Sequence, residues 1–367
     1  MENIHYVGMD VHKETIQFAV YNSNDRDPIL EKETINDLAV IKRFFEGIKS
    51  PDGIRSCYEA GCLGYSLHRF LESIGIKNMV VSPGAVPISP RDRSRKNDRY
   101  DAQLLGRMLR DQRLTPIYVP TKDDEAVRDF LRFREDLKKE IMHARQRLLG
   151  FLMRHHIKYD IGKDHWTDRH HVWLRGLRLE DPMLQLTLKS QVTGLDQLIL
   201  NKAEADQEVQ HIAARPQYAP AVKRLIGLKG VDVLTALSFI VEIGDFKRFS
   251  NAPSFMNFLG LVPREHSSGN SHLLGRITKC GNVHLRTLLV EGCWCFRFKS
   301  RGSKRLATRR VGLPADLLAY CDKASRHLEG LFRNLVLEKK KSSQIAVVAT
   351  AREMSGFIWG IMTERTA

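Results

Sequence analysis

Four carboxylates stand at the ends of predicted strands and at the start of a predicted helix in the N-terminal third of this 367-residue chain. Asp10 ends the first predicted strand, Glu59 ends a later one, and Asp98 and Asp101 lie three apart on one side of a helix. If the strand ends are adjacent and the helix closes over them, the four acids form one cluster, which requires protonation or a bound cation because like charges repel. The pattern predicts a Mg²⁺ site, since Mg²⁺ prefers oxygen ligands and binds phosphates, and two such ions can hold both reacting oxygens of a phosphodiester exchange.

Each acid also has a structural interpretation. Asp10 could cap the turn before His12, and Asp98 could be an acid of the first helical turn, where the helix dipole favours negative charge. Glu59 ends an apolar strand and is harder to explain in this way. Most single acids are surface residues, so the metal-site interpretation depends on the joint order of the four.

A second group of residues combines two serines with a basic, glycine-rich loop. Ser267 and Ser268 lie directly before Gly269. A serine hydroxyl attacks phosphorus where a base or a group that stabilises the electrophile is adjacent. Four nearby basic residues would supply the positive charge for such a transition state: Arg264, Arg276, Lys279 and Arg286. The alternative is an ordinary turn whose basic surroundings contact phosphate without a serine nucleophile.

The net charge of the chain is +15, from 58 Lys or Arg and 43 Asp or Glu. Residues 264–310 contain eleven Lys or Arg and two Glu, so more than half of the excess lies in about an eighth of the chain. A second basic cluster, at 91–99, also contains Asp92 and Asp98, which suits either a metal site acting on phosphate or a solvated loop. The excess predicts a polyanionic partner, either nucleic acid or an anionic membrane surface.

The remaining composition predicts a cytoplasmic globular protein. No run of about eighteen apolar residues is present, which predicts no membrane span. The N-terminus alternates like a strand and carries acids, unlike a secretory signal or a transit peptide. The six Cys show no paired framework, so we expect reduced thiols.

The first 120 residues have the pattern of an α/β domain. Period-two runs predict strands at 4–9, 15–21, 29–35, 54–59 and 78–82, and helical spacing predicts helices at 37–48, 65–74 and 97–110. Three strands, helix, strand, helix, strand, helix is the element order of an RNase H-like domain. This fold assignment is an analogy at the level of element order.

The rest of the chain is predicted to be mainly α-helical. Apolar residues at three- and four-residue steps predict two long helices, from 125 to 156 and from about 188 to 212, packed as an antiparallel or intersubunit coiled coil. The segment 158–181 between them is interpreted as irregular, and 215–220 as a linker. Residues 221–244 resemble a helix-hairpin-helix, in which glycines allow close backbone approach and a helix N-terminus binds DNA phosphate. The predicted domains are 1–120, 121–220 and 221–367.

Two other patterns have both a binding and a structural interpretation. Cys293 and Cys295, and the histidines of 155–171, match no known zinc spacing, so a structural role is favoured. Trp166 and Trp173 either stack on nucleic-acid bases or pack within the helical region.

The four acids and the basic loop with its two serines together resemble a known family. It is the DEDD-plus-serine recombinases of bacterial insertion sequences, the insertion-sequence family one-ten, and the Piv/MooV-type DNA invertases. The matching stretches are 8–13 (Gly-Met-Asp-Val-His-Lys), 58–61 (Tyr-Glu-Ala-Gly), 96–102, 109–120, 230–245, 258–263 and 267–289. The resemblance extends to about residue 290 and keeps two motif sets in order. Three positions depart from the usual pattern: Asn97, Asp232 and Asn270.

The resemblance implies a fold, a site and partners. Asp10, Glu59, Asp98 and Asp101 would form a RuvC-like Mg²⁺ site, and Ser268 would join covalently to DNA, with Ser267 the weaker candidate. The two sites would meet across subunits of a homo-oligomer, a dimer or a tetramer. Donor and target double-stranded DNA would be selected by pairing with a non-coding bridge RNA, and the long helices would support dimerisation and RNA contacts.

Three functions follow in order of preference. The first is a transposase or DNA recombinase that cleaves and rejoins strands through a covalent serine–DNA intermediate. The second is a metal-dependent nuclease or junction resolvase in which Ser268 only contacts phosphate. The third is a non-catalytic nucleic-acid-binding scaffold whose acids are structural.

Overall fold

Alternating apolar residues in the N-terminal part of the chain form a five-stranded mixed sheet. The computed structural model describes residues 4–48, 53–86, 97–268, 271–298 and 303–365. The chain divides into two units, Met1–Val119 and Pro120–Ala367. The sheet belongs to the first unit, and helices dominate the second.

The sheet has the order β3-β2-β1-β4-β5. Its strands are β1 (His5–Val11), β2 (Thr15–Tyr21), β3 (Leu30–Ile35), β4 (Ile54–Glu59) and β5 (Lys77–Val81). The first three are antiparallel neighbours, whereas β4 runs parallel to β1 and β5 runs parallel to β4. All five predicted strands are present, with their ends within two residues of the predicted positions.

Helices cover both faces of this sheet. Helices α1 (Leu38–Gly47) and α2 (Ser66–Ser73) pack on the face that carries Met9 and Phe18. Helix α3 (Asp98–Arg110) packs on the opposite face, against Ala19 and Cys57. The two-residue period of each strand separates the two apolar sets, so both cores follow from the sequence pattern.

Two glycines bring α3 and β1 into direct backbone contact. A Cβ placed on Gly8 would overlap the carbonyl oxygen of Ala102 and the amide nitrogen of Gly106. A Cβ on Gly106 would lie 2.8 Å from the ring of Tyr21. Neither position accommodates a side chain, so α3 is held against the sheet at a fixed height.

We expect Gly8→Ala to destabilise the first unit by about 1–3 kcal/mol, the usual range for overpacking a dense core. The added methyl group meets backbone atoms that cannot rotate away. Urea unfolding followed by circular dichroism measures the loss. Gly47→Ala is the matched control, because nothing lies within 4 Å of its added Cβ; equal stability of the two variants would contradict the prediction.

The two long helices of the second unit pack antiparallel within one chain. They are α4 (Lys122–Arg154) and α6 (Pro182–Ala213). The start of α4 shares a core with the end of α6, and the end of α4 with the start of α6. The antiparallel form of the predicted pair is therefore confirmed.

The segment between the long helices is not irregular throughout, and that prediction is wrong in part. Residues Asp168–Gly176 form a helix, α5, capped by the hydroxyl of Thr167, which accepts from the amide of His170. Its short length and mixed aromatic and basic composition concealed the helical period. Trp166 and Trp173 pack against the core formed by α4, α5 and α6, which favours the packing interpretation of these two residues.

His170 lies fully buried at the centre of this aromatic group. Its ring stacks on Trp173 at 5.4 Å between centroids, and its Nδ1 accepts from the backbone amide of Trp166. Burial, together with the charges of His165 and His171, lowers the pKa of His170 to about 4. The neutral imidazole is therefore the folded form near neutral pH.

This histidine predicts acid sensitivity of the second unit. An unfolded histidine has a pKa of about 6.5, whereas the pKa of folded His170 is about 4. The free energy of unfolding is therefore unaffected above about pH 6.5, and it falls as the pH decreases from about 6.5 toward about 4 because the unfolded state binds the proton more readily. We expect a loss of about 2 kcal/mol at pH 5 relative to neutral pH. Urea unfolding at both pH values measures this loss. His170→Phe should reduce the pH dependence of the free energy of unfolding, whereas the exposed control His211→Gln should leave it unchanged. A wild-type curve with no such loss would contradict the prediction.

The C-terminal part packs further helices of 7 to 20 residues around a common core. These are α7 (Ala219–Leu225), α8 (Val233–Ile243), α9 (Ala252–Phe258), α10 (Val283–Cys293), α11 (Lys304–Arg310), α12 (Ala315–Arg333) and α13 (Ser343–Met362). A two-stranded hairpin, β6 (Pro263–Ser268) and β7 (Ser271–Ile277), lies between α9 and α10 in sequence. The predicted mainly α-helical character of this region is confirmed.

One helix among the described residues, α13, is long and apolar enough to cross a membrane by length and composition alone. Its sequence contains no unbroken run of eighteen apolar residues, and a single helix of this kind is weak evidence for a membrane span. Ala351, Met354 and Ile358 of α13 are buried in the core of the second unit. The apolar composition of α13 is thus explained by its packing as a core helix.

Candidate functional site

The sheet places Asp10 and Glu59 on the face that α3 covers. Gly8, two residues before Asp10, contacts the backbone of α3, and the thiol of Cys57, two residues before Glu59, donates to the carbonyl of Leu105 at 3.5 Å. Side chains two apart on a strand share a face. Because Met9 is in register with Tyr58 on the parallel neighbour, the two acids follow at corresponding positions on adjacent strands.

The N-terminus of α3 carries the other two acids. Asn97 is the N-cap, and its side chain accepts from the amide of Tyr100 at 2.7 Å. Asp98 and Asp101 therefore lie in the first helical turn, where the dipole of the helix stabilises negative charge. The capping role of Asn97 explains its place before Asp98 without any ligand function.

Three side chains come together at this end of the sheet. Nε2 of His12 lies 3.1 Å from Oδ2 of Asp10 and 3.5 Å from Oδ2 of Asp98. All three atoms lie within 4.8 Å of one another. Among the residues that the structure describes, this is the one group of three or more His, Cys, Asp or Glu side chains close enough to hold a metal ion together. The predicted proximity of the first strand end and the helix start is present, whereas Glu59 and Asp101 lie outside that group.

His12 was missed by the sequence reasoning, which treated it as a turn residue. The signal was its spacing, because a residue two positions after Asp10 at the end of a strand emerges on the same face. The hydrogen bond with Asp10, and then the negative charges of Asp10 and Asp98, raise the pKa of His12 above its ordinary value. The two carboxylates thus attract positive charge to this position.

The candidate serines lie on the hairpin rather than in an irregular loop, so the loop assignment is wrong. Ser268 ends β6 and is in register with Ser271 of β7, and Ser267 pairs with His272. The structure describes the backbone of these residues. Gly269 and Asn270 lie outside the described residues, but a Gly-Asn pair between two extended runs is a sequence typical of hairpins, and that signal was overlooked.

The four predicted basic residues differ in exposure. Arg264, Arg276 and Lys279 are exposed on or next to the hairpin. Arg286 is half-buried in α10 and donates to the carbonyl of Leu259 at 2.9 Å, and burial lowers the pKa of its guanidinium. Arg286 therefore anchors the segment before the hairpin. The basic residues of 91–96 lie outside the described residues.

The base of the hairpin is tied to the helical core by a buried glutamate that sequence reasoning did not find. Oε2 of Glu242 accepts from the side-chain amide of Asn282 at 2.9 Å, and its Oε1 accepts from Arg132 at 2.6 Å. The side chain of Glu242 is only 5% exposed, so these partners offset the burial of its charge. Asn282 is also the N-cap of α10, which fixes the start of that helix relative to α4.

The helix-hairpin-helix-like segment has the predicted form, α7, a turn and α8. Its turn contacts other parts of the second unit: Gly230 crosses Gly292 of α10, where a Cβ would lie 2.8 Å from the carbonyl oxygen of Gly292. The carboxylate of Asp232 caps α8 by accepting from Thr235 at 2.8 Å. The glycine is thus needed for packing inside the protein, and an acid stands at the helix N-terminus where a phosphate was expected.

Comparisons with known proteins identify the family of this chain. Residues 7–157 match a DEDD transposase family model, and residues 222–307 match the model described as Transposase IS116/IS110/IS902 family. The chain is 36% identical over 343 residues to the transposase for insertion sequence element IS1533 of Leptospira borgpetersenii, covering 92% of this chain and 98% of that relative.

Two further relatives are more distant. The transposase for insertion sequence element IS1111A of Coxiella burnetii is 28% identical, over 81% of this chain and 74% of that relative. The pilin gene-inverting protein of Moraxella bovis is 25% identical, over 61% of this chain and 55% of that relative. The molecule is a DNA transposase. It belongs to the IS116/IS110/IS902 family, as the resemblance in the sequence implied.

Proposed function

We propose that this transposase cleaves and rejoins DNA strands through a covalent link between DNA and Ser268, with a Mg²⁺ site formed by Asp10, Glu59, Asp98 and Asp101. The observation that carries the proposal is the meeting of Asp10 and Asp98, from a strand end and a helix start, at a position that attracts positive charge. The element order and the parallel pairing of β1 with β4 support an RNase H-like, RuvC-like assignment of the first unit.

The side chains at the strand ends fit a divalent cation. Carboxylate oxygens are the ligands that Mg²⁺ prefers, and Asp10 and Asp98 offer such oxygens within 4.8 Å of one another. Asp98 is exposed at the helix start, which leaves room for a phosphate. A bound Mg²⁺ would stabilise charge on the phosphate oxygens of the scissile bond.

The serine step is a transesterification. The hydroxyl oxygen of Ser268 forms a bond to phosphorus while the bond between phosphorus and one deoxyribose oxygen breaks. The released deoxyribose oxygen takes up the proton that the serine hydroxyl loses. A free deoxyribose hydroxyl of another strand then attacks the same phosphorus and releases the serine. Exposed Arg264, Arg276 and Lys279 would hold the phosphate and stabilise its added charge; Arg286 would support the segment from below.

The proposal includes partners and assembly. Donor and target DNA would be selected by pairing to a bridge RNA, and the excess of positive charge at 264–310 supports contact with polyanions. The acid site of one protomer would act with Ser268 of another in a dimer or tetramer. The proposed location of this DNA-binding protein is the cytoplasm. We also propose the three-part functional division 1–120, 121–220 and 221–367.

Two measurements test this function. Nucleic acid that co-purifies with the full chain is sequenced, and a discrete short RNA is expected. Labelled donor and target DNA are then incubated with the complex and Mg²⁺, and protein–DNA species that survive detergent but not protease are sought. Free cleaved ends without an adduct would indicate the nuclease alternative, and Mg²⁺-independent binding without cleavage would indicate a scaffold.

A further inference from the structure

We propose that His12 is a ligand of the metal at the acid site, through Nε2, together with Asp10 and Asp98. This inference rests on the proposed metal site and specifies its chemistry. The site would then hold a mixed set of one nitrogen and several oxygens. Such a set would bind Mn²⁺ more tightly than Mg²⁺, and Mg²⁺ would still be able to occupy the site.

The distances agree with a shared cation. Two ligands that each lie about 2.1 Å from a metal at right angles are about 3.0 Å apart. Nε2 of His12 is 3.1 Å from Oδ2 of Asp10 and 3.5 Å from Oδ2 of Asp98. Nε2 of His12 thus lies near the separation of adjacent ligands from both carboxylate oxygens, and the three atoms lie within 4.8 Å of one another, so a cation would require small movements of the side chains.

The backbone of His12 is fixed from two sides. Its amide donates to the carbonyl of Thr15 at 2.9 Å, and its carbonyl accepts from the side chain of Asn36 at 2.8 Å. The ring is half-exposed, so burial alone does not force it between the two carboxylates. Its position follows from the strand end and from attraction to the acids.

The ligand type determines the metal preference. Neutral imidazole binds first-row transition metals well, whereas Mg²⁺ favours oxygen ligands and water. Loss of a ligand should therefore weaken Mn²⁺ more than Mg²⁺. We expect His12→Gln to raise the Kd of Mn²⁺ by at least about tenfold, the lower end of what loss of supporting groups at metal sites produces, with a smaller change for Mg²⁺.

Pulsed electron paramagnetic resonance of bound Mn²⁺ tests the proposal independently of DNA cleavage. The full chain is freed of nucleic acid at high salt and titrated with Mn²⁺. Wild type should show nitrogen modulation from a directly bound imidazole, His12→Gln should lose it, and the exposed control His211→Gln should keep it. Circular dichroism confirms that each variant is folded.

The outcomes separate this inference from the proposed function. Mn²⁺ bound with no nitrogen modulation in wild type, or modulation that persists in His12→Gln, overturns the role of His12 while the acid site stands. Failure of wild type to bind Mn²⁺ overturns the acid site and the ligand assignment together. Binding that is unaffected by Asp10→Asn would place the metal elsewhere and also contradict both.

Discussion

Ser268→Ala is expected to abolish the covalent protein–DNA species and to lower recombination by at least about 10⁴-fold, as removal of a catalytic serine does elsewhere. The variant keeps the basic residues and the acid site, so DNA binding should remain within a few-fold of wild type. Gel analysis of denatured reactions measures the adduct, and a mobility shift measures binding. Wild-type recombination by this variant would exclude the serine as nucleophile.

Two neighbouring serines provide matched controls. Ser267→Ala changes the adjacent residue of β6, and Ser271→Ala changes the residue in register with Ser268 on β7. Both remove the same hydroxyl group from the same hairpin, and both should retain the adduct. Loss of the adduct in Ser267→Ala alone would instead assign the nucleophile to Ser267.

Asp10→Asn is expected to lower strand cleavage by about 10³-fold while the protein remains folded. A metal at a phosphate contributes several kcal/mol to the transition state, and each 1.36 kcal/mol corresponds to about tenfold in rate. The amide keeps the shape of the side chain but removes the charge that Asp10 presents beside His12. Cleavage of labelled DNA across a Mg²⁺ series measures the effect.

A control with the same substitution lies in the same unit. Asp37 caps α1 by accepting from the amides of Ala39 and Val40, and asparagine caps a helix equally well. Asp37→Asn should therefore cleave at the wild-type rate. If Asp10→Asn also cleaved at that rate, the acid site would not be the metal site of this reaction.

The architecture of the first unit was largely predictable because its physical causes are local. Period-two alternation located β1 to β5, and helical spacing located α1, α2 and α3. The meeting of Asp10 and Asp98 followed from the assumption that α3 closes over the end of β1, and the alignment of Asp10 with Glu59 followed from the assumption that β1 and β4 are adjacent. The inclusion of His12 was not predicted, since it depends on where β1 ends and on which way the ring turns.

The second unit was predicted less completely because its decisive contacts are distant in sequence. Glu242 meets Asn282 and Arg132 across 40 and 110 residues, and no local pattern marks such a pair. The crossing of Gly230 and Gly292 is equally hidden, because the sequence indicates only that a glycine in this turn allows close backbone approach and not which element approaches it. The hairpin carrying Ser268 was obscured by its polar composition.

The contact between Gly8 and the backbone of α3 has a consequence for how the acid site tolerates change. The spacing of Asp10 from Asp98 is set by main-chain atoms of Gly8, Ala102 and Gly106, which lie two or more residues away from both of these acids. Apolar side chains around α3 can therefore vary in size without moving the carboxylates apart. The apolar residues of that core can therefore be substituted while the acids keep their positions, provided that Gly8 and Gly106 are retained.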